Sequence, residues 1–398
     1  MSYLRCFSPD YGHAAERFIA SATKAGFRLE SYASDVNDTS GPGGEKLAIE
    51  VACLGSADPG RIVIVSSGLH GIEGFLGSAI QLAWLEMRVA QHSLASDSAF
   101  ILIHAINPFG FAWRRRSNER NVDLNRNFLD DRSFLTCDPA YAESRRIYDG
   151  LDTFLNPASL PSPCEPYTAK AINVILQAGL SARARMSPHA KPSYFQVREI
   201  FALGLAELQK SLPVGQYEHD KGLFYGGRRS EQSTRVLQRQ LPVWTANARM
   251  ILHVDFHTGL GVSGGYKLLV VDEPGSDRYE WLKAQFGSDD VEPSEGRTAY
   301  RSRGSMAEYF ANRLADRNYH CLTAEFGTYH PLYVLGALRA ENRAHFYGNP
   351  GQPAYERAKQ RLLEAFCPAA PHWRELAVAN GLKIIKRAAA VCFGQSLG

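Results

Sequence analysis

Residues 61–73 read Arg-Ile-Val-Ile-Val-Ser-Ser-Gly-Leu-His-Gly-Ile-Glu, and residues 250–259 read Met-Ile-Leu-His-Val-Asp-Phe-His-Thr-Gly. Each is a short apolar run that breaks at glycine, with a histidine at or just past its end. Such runs fit strands covered on both faces, as in a sheet packed between helices. Leu47–Gly55, Ala99–Asn107, Tyr266–Asp272 and Tyr319–Gly327 read the same way. Helices are predicted over Tyr11–Ala25, Phe75–Gln91, Tyr141–Phe154, Tyr167–Ala184, Tyr194–Ser211, Ser230–Asn247, Ser305–Asn318 and in several segments after Pro331. Strand alternating with helix predicts an α/β domain. From about 133 to 248 the helices follow one another without a strand, so a helical insertion is expected on a single domain spanning 1–398.

The 398 residues carry 44 Lys+Arg against 41 Asp+Glu, a formal net charge of +3. So small an excess gives no electrostatic case for nucleic acid or an anionic membrane. No uncharged apolar run reaches the roughly 18 residues a membrane span needs. The amino-terminal residues lack the charged-then-apolar pattern of a secretory signal. Seven scattered cysteines without a CxxC pair fit free thiols in a reducing compartment. A cytoplasmic protein is expected.

Several motifs fail on context. Gly259-Leu-Gly-Val-Ser-Gly264 matches GxGxxG, and Gly261–Gly265 matches GxSxG. Both patterns require a helix to open directly afterwards. The strand-like Tyr-Lys-Leu-Leu-Val-Val follows instead, so neither a dinucleotide site nor a serine nucleophile is predicted. HxxE occurs at His13/Glu16, His70/Glu73 and His372/Glu375. The first lies within a predicted amphipathic helix and the third in a polar stretch after Pro-Ala-Ala-Pro. Only His70/Glu73 sits where a buried strand meets a Gly-rich loop, the edge at which open α/β sheets bind ligands. His257 ends a second such strand. Two imidazoles and one carboxylate leave a zinc ion an open fourth position, the arrangement of catalytic sites.

Between these strands lies Asn107-Pro-Phe-Gly-Phe-Ala-Trp-Arg-Arg-Arg116, followed by Asp123-Leu-Asn-Arg-Asn-Phe128. An arginine beside a Lewis acid can hold an oxyanion, and an Asn-Arg pair offers a donor fork for a carboxylate. His70-Gly-Ile-Glu73, Trp113-Arg114, Asp123-Leu-Asn-Arg126, Asp255-Phe-His257-Thr and Ala324-Glu325-Phe-Gly, in this order, resemble the zinc carboxypeptidase superfamily. The whole chain most resembles a poorly characterised bacterial carboxypeptidase-like family, with similarity to the succinylglutamate desuccinylase and aspartoacylase branch.

The resemblance implies a three-layer α/β/α fold with a mixed, mostly buried sheet. It implies one zinc per chain on His70, Glu73 and His257. Glu325 would be the general base, and Arg114 the oxyanion donor, with Arg115 and Arg116 as alternatives in the arginine run. Asn125 and Arg126 would bind a substrate carboxylate, and Tyr300 would be a substrate-binding tyrosine. Burial at a strand end would also raise the Glu325 carboxyl pKa, as proton shuttling requires. Two departures bear on substrate. Phe109 stands where these peptidases usually carry aspartate, and the stretch from Arg126 to His257 exceeds a compact catalytic domain. The expected activity is hydrolysis of an amide next to a free carboxylate, on short peptides or on N-acyl amino acids. A binding module without catalysis is the remaining alternative.

Overall fold

Ile62, Val63, Ile64 and Val65 are completely buried, and they part to opposite sides of one sheet. Val63 and Val65 join one hydrophobic cluster, with Phe18, Ile80 and Ile385, while Ile62 and Ile64 join another, with Leu241 and Phe310. Period-two alternation of strand side chains dictates this division, and helices covering both faces require the continuous apolar run. The computed structural model describes residues 2–34, 40–88, 94–130, 133–135, 139–160, 212–295 and 302–394.

The strands are β1 (Arg28–Ala33), β2 (Ala48–Gly55), β3 (Arg61–Ser67), β4 (Ser98–His104), β5 (Met250–Thr258), β6 (Tyr266–Val270), β7 (Val291–Pro293) and β8 (Asn318–Phe326). They form one mixed sheet in the order β1-β2-β4-β3-β5-β8-β6-β7. Its centre, β4-β3-β5-β8, is parallel. The helices are α1 (Tyr11–Lys24), α2 (Gly74–Arg88), α3 (Pro108–Ala112), α4 (Pro139–Leu155), α5 (Gln232–Trp244), α6 (Asp277–Phe286), α7 (Met306–Arg313), α8 (Pro331–Tyr347), α9 (Pro353–Phe366) and α10 (Pro371–Phe393). No helix among the described residues is long and apolar enough to cross a membrane.

The expected mixed, mostly buried sheet is present. It has two strands more than the sequence analysis identifies, β1 and β7, at its two edges. β1 carries Arg28, Glu30 and Ser31 and is largely solvated, so its apolar alternation is weak, as suits a protected edge. Of the proposed insertion, residues 133–135, 139–160 and 212–248 are described, with α4 and α5 among them. The predicted helices Tyr167–Ala184 and Tyr194–Ser211 lie outside the described residues.

The arginine run is anchored by a buried ionic cluster. Arg115 Nε donates to Glu341 Oε1 on α8 at 2.9 Å, and its Nη2 donates to Asn121 and Asn342 at 2.8 and 3.2 Å. Lys359 on α9 donates to the same Glu341 oxygen at 2.6 Å. Removing one member of a buried ionic group leaves the others uncompensated. Arg115→Met is expected to lower unfolding free energy by about 3–5 kcal/mol, measured by denaturant titration; a change within experimental error would remove this cluster as an anchor.

Candidate metal centre

At the carboxyl edge of the sheet β3 ends at Ser67, and the chain turns through Gly68, at φ 66°. His70 then caps a single 3-10 turn, Gly71–Glu73. A Cβ on Gly71 would lie 2.1 Å from the carbonyl carbon of Gly110, so only glycine lets this loop press against α3. The turn sets His70 Nδ1 2.8 Å from Glu73 Oε1. Parallel pairing places Ser67 beside Phe256, which brings His257 against the loop. In the next pairing His257 lies directly opposite Glu325. His257 Nδ1 is 3.1 Å from Glu73 Oε2. The ligand-capable atoms of His70, Glu73 and His257 lie within 4.8 Å of one another, and all three residues are buried.

The donor set fits a divalent transition ion. Each imidazole turns Nδ1 toward Glu73 and Nε2 toward a buried carboxylate. His70 Nε2 is 3.2 Å from Asp123 Oδ1, and His257 Nε2 is 2.5 Å from Asp255 Oδ2. Carboxylates behind the imidazoles fix ring orientation and raise ligand basicity. Asp255 is itself held by Ser66 at 2.6 Å, Ser66 by His253 at 2.7 Å, and His253 by the Tyr319 hydroxyl at 2.8 Å.

Burial opposes charge throughout this cluster, and pairing overcomes it. Burial alone would raise the Glu73 carboxyl, yet His70 and His257 hold it well below its ordinary range. Asp123 is likewise held low against burial, chiefly by Arg116 and His70. His257 is driven well above its usual value by Asp255 and Glu73, despite its burial. Glu325 goes the other way. Burial and the Glu73 charge push its pKa up to about 8, opposed by His257, the Leu260 N–H and Arg116. That N–H donates to Glu325 Oε1 at 3.0 Å.

The three arginines diverge because the chain after α3 is irregular. Arg114, at φ 49°, turns into a separate hollow with Asp10, His13 and Glu16. Arg115 enters the ionic cluster described above. Arg116 alone reaches the metal centre: Nε donates to Asp123 Oδ2 at 2.9 Å, and Nη2 lies 2.7 Å from His70 Nε2. The placement expected for Arg114 is therefore corrected to Arg116.

Asn125 and Arg126 follow Asp123 in a short turn, Leu124–Arg126. Asn125 Oδ1 accepts from the Met306 N–H at 3.0 Å. Arg126 donates from Nε to Pro213 O and from Nη1 to Asn125 O, both at 2.6 Å. Asn125 Nδ2 and Arg126 Nη2 bond to no described residue. A cavity of about 180 Å³ unites both residues with the metal centre, Arg116 and Glu325. Tyr300 lies outside the described residues. Sequence reasoning gave no role to Asp255, although two residues' spacing on a strand sets it on the same face as His257. It also passed over Thr258, whose buried hydroxyl has no partner among the described residues.

The family described as "Protein of unknown function (DUF2817)" matches residues 7–380. The chain belongs to this family. Among curated proteins, none matches its sequence. The DUF2817 chain is similar to carboxypeptidase A of Helicoverpa armigera, at 12% identity over 98% of this chain and 75% of that one, with a TM-score of 0.43. It is also similar to a proposed metallopeptidase of Shewanella amazonensis SB2B, at 12% identity over 97% and 94%, with a TM-score of 0.42. A third is the murein-tripeptide amidase of Escherichia coli O157, at 15% identity over 78% and 91%, with a TM-score of 0.30. At these identities and scores, the activity of this DUF2817 protein has to be read from its own residues.

The raised Glu325 pKa gives a pH signature in metal-free protein. An unfolded Glu ionises near its ordinary value of 4.5, whereas folded Glu325 keeps its proton to about 8. The folded state thus binds more protons across that interval, and stability falls as pH rises through it. Chelator-treated Glu325→Gln should melt above chelator-treated parent at pH 8, with the gap closing toward pH 4. Parallel melting curves across that range would contradict the burial and repulsion assigned to this carboxyl.

Proposed function

We propose that the protein is a zinc-dependent hydrolase, with one zinc per chain, that cleaves an amide bond next to a free carboxylate. Short peptides, in the manner of a metallocarboxypeptidase, and N-acyl amino acids are the substrate classes. The observation that carries this reading is one cavity holding His70, Glu73, His257, Arg116 and Glu325 together with donors of Asn125 and Arg126 that no other described residue takes up. The free thiols of Cys6, Cys53, Cys321, Cys367 and Cys392 accord with a cytoplasmic setting.

His70, Glu73 and His257 would hold the ion, whose Lewis acidity would polarise the attacking water and the scissile carbonyl. Glu325, opposite His257 in the sheet, takes the water proton on its carboxylate and returns it to the departing amine. Arg116 presents its N–H groups to the oxygen that gains charge, in place of Arg114. Asn125 Nδ2 and Arg126 Nη2 take the substrate carboxylate and set the amide over the metal centre.

Leaving a buried donor pair unmatched is costly, so free acids should be strongly preferred over their amides. Benzoylglycyl-phenylalanine is expected to be hydrolysed up to about 10⁴-fold faster, in kcat/KM, than its carboxamide. Arg126→Met should erase most of that ratio. Equal rates on acid and amide by the parent enzyme would overturn the proposal.

A further inference from the structure

Two groups of unlike chemistry line the cavity with the candidate metal ligands, and they pack largely in the hydrophobic clusters on opposite faces of the sheet. Asn125 and Arg126 stand with α7, whose Met306, Ala307 and Phe310 pack in the same cluster as Leu124 and Phe128. The second group, apart from Leu260, packs in the other cluster. It is built from Phe224, Leu260, Val334, Leu335, Leu338 and Phe366. Phe366 closes directly on the loop after His257, since a Cβ on Gly259 would meet its ring at 3.0 Å. Thr258, at the strand end, holds the buried hydroxyl that lacks a partner.

Phe224 is the least ordinary member. It adopts φ 56°, a left-handed conformation that non-glycine residues seldom take. Hydrogen bonds on both sides impose it. The Leu223 carbonyl accepts from the Tyr148 hydroxyl at 2.8 Å, and the Leu223 N–H donates to Asn156 at 3.1 Å. The Phe224 carbonyl accepts from Gln216 N–H at 3.0 Å, and the Tyr225 carbonyl from Asp123 N–H at 2.7 Å. The result sets the ring 5.6 Å from the Arg116 guanidinium and walls the cavity on that side. Backbone strain held by its surroundings in this way points to a function for the side chain it directs.

We infer that the second group lines an acyl pocket, and that the substrate is an N-acyl amino acid with an apolar acyl group rather than a peptide. The inference rests on the hydrolase reading above, with the carboxylate at Asn125 and Arg126 and the acyl group beyond the metal centre. A peptide would bring a further backbone N–H and C=O against these apolar side chains, which carry no hydrogen-bonding group, and Thr258 offers the pair a single hydroxyl. Each such buried group left unpaired weakens binding about tenfold or more. An alkyl chain meets no such penalty, and each methylene it buries tightens binding roughly fourfold.

The test is calorimetric binding to zinc-supplied Glu325→Gln protein, chosen so that bound amides are not turned over. The ligands are acetyl-leucine, octanoyl-leucine and glycylglycyl-leucine, which share one carboxylate-bearing residue. Octanoyl-leucine should bind at least about 50-fold more tightly than either of the others. Phe224→Ala and, as a second probe, Leu338→Asn should each reduce that preference, with circular dichroism confirming the fold of both. Tripeptide binding as tight as that of octanoyl-leucine would overturn the acyl pocket, as would no binding of any ligand. If octanoyl-leucine binds as expected but the parent enzyme cleaves none of the three, the pocket stands and the hydrolase reading falls.

Discussion

Burying His70, Glu73, Asp123, Asp255 and His257 at one edge of a sheet is unfavourable unless their charges are paired, and that pairing dictates much of the surrounding architecture. Asp123 and Asp255 approach the two imidazoles from different elements, one from the turn after the arginine run and one from within β5. Both leave Nδ1 turned toward Glu73. With the rings fixed so, two nitrogens and a carboxylate converge without rearrangement, which is what a tightly held ion requires. The register of β3, β5 and β8 brings the parts together, and Gly71 allows the ligand loop its contact with α3.

The central strands and the metal-ligand trio are legible in the sequence because they follow strong local rules. β3, β5 and β8 are largely apolar runs buried almost throughout, and His70 and His257 mark where two of them end. Edge strand β1 escapes notice because solvent permits it Arg28 and Glu30. The arginine run fails for a different reason. Its three side chains diverge through irregular backbone, where no periodicity says which one points inward, and only tertiary contacts with Glu341 and Asp123 separate Arg115 from Arg116. Phe224 is harder still, since its position depends on hydrogen bonds to Tyr148, Asn156 and Gln216, which are distant in sequence or in a separate turn.

The segment at 212–227 connects fold to chemistry. It supplies Pro213, which holds Arg126, and Phe224, which covers Arg116. Lys221 in turn accepts through its carbonyl from Asn342 on α8, the helix that carries Leu338. The residues proposed to select substrate are thereby tied to those that would perform the reaction, and the arginine cluster around Arg115 secures both to the core.

The proposed chemistry depends on His70, Glu73 and His257 forming a metal site. Elemental analysis of protein purified without immobilised-metal affinity tests it most directly. The parent should hold close to one zinc per chain, and a folded His257→Ala variant should lose it. A folded parent that contains no metal and takes up none when zinc is added would contradict it.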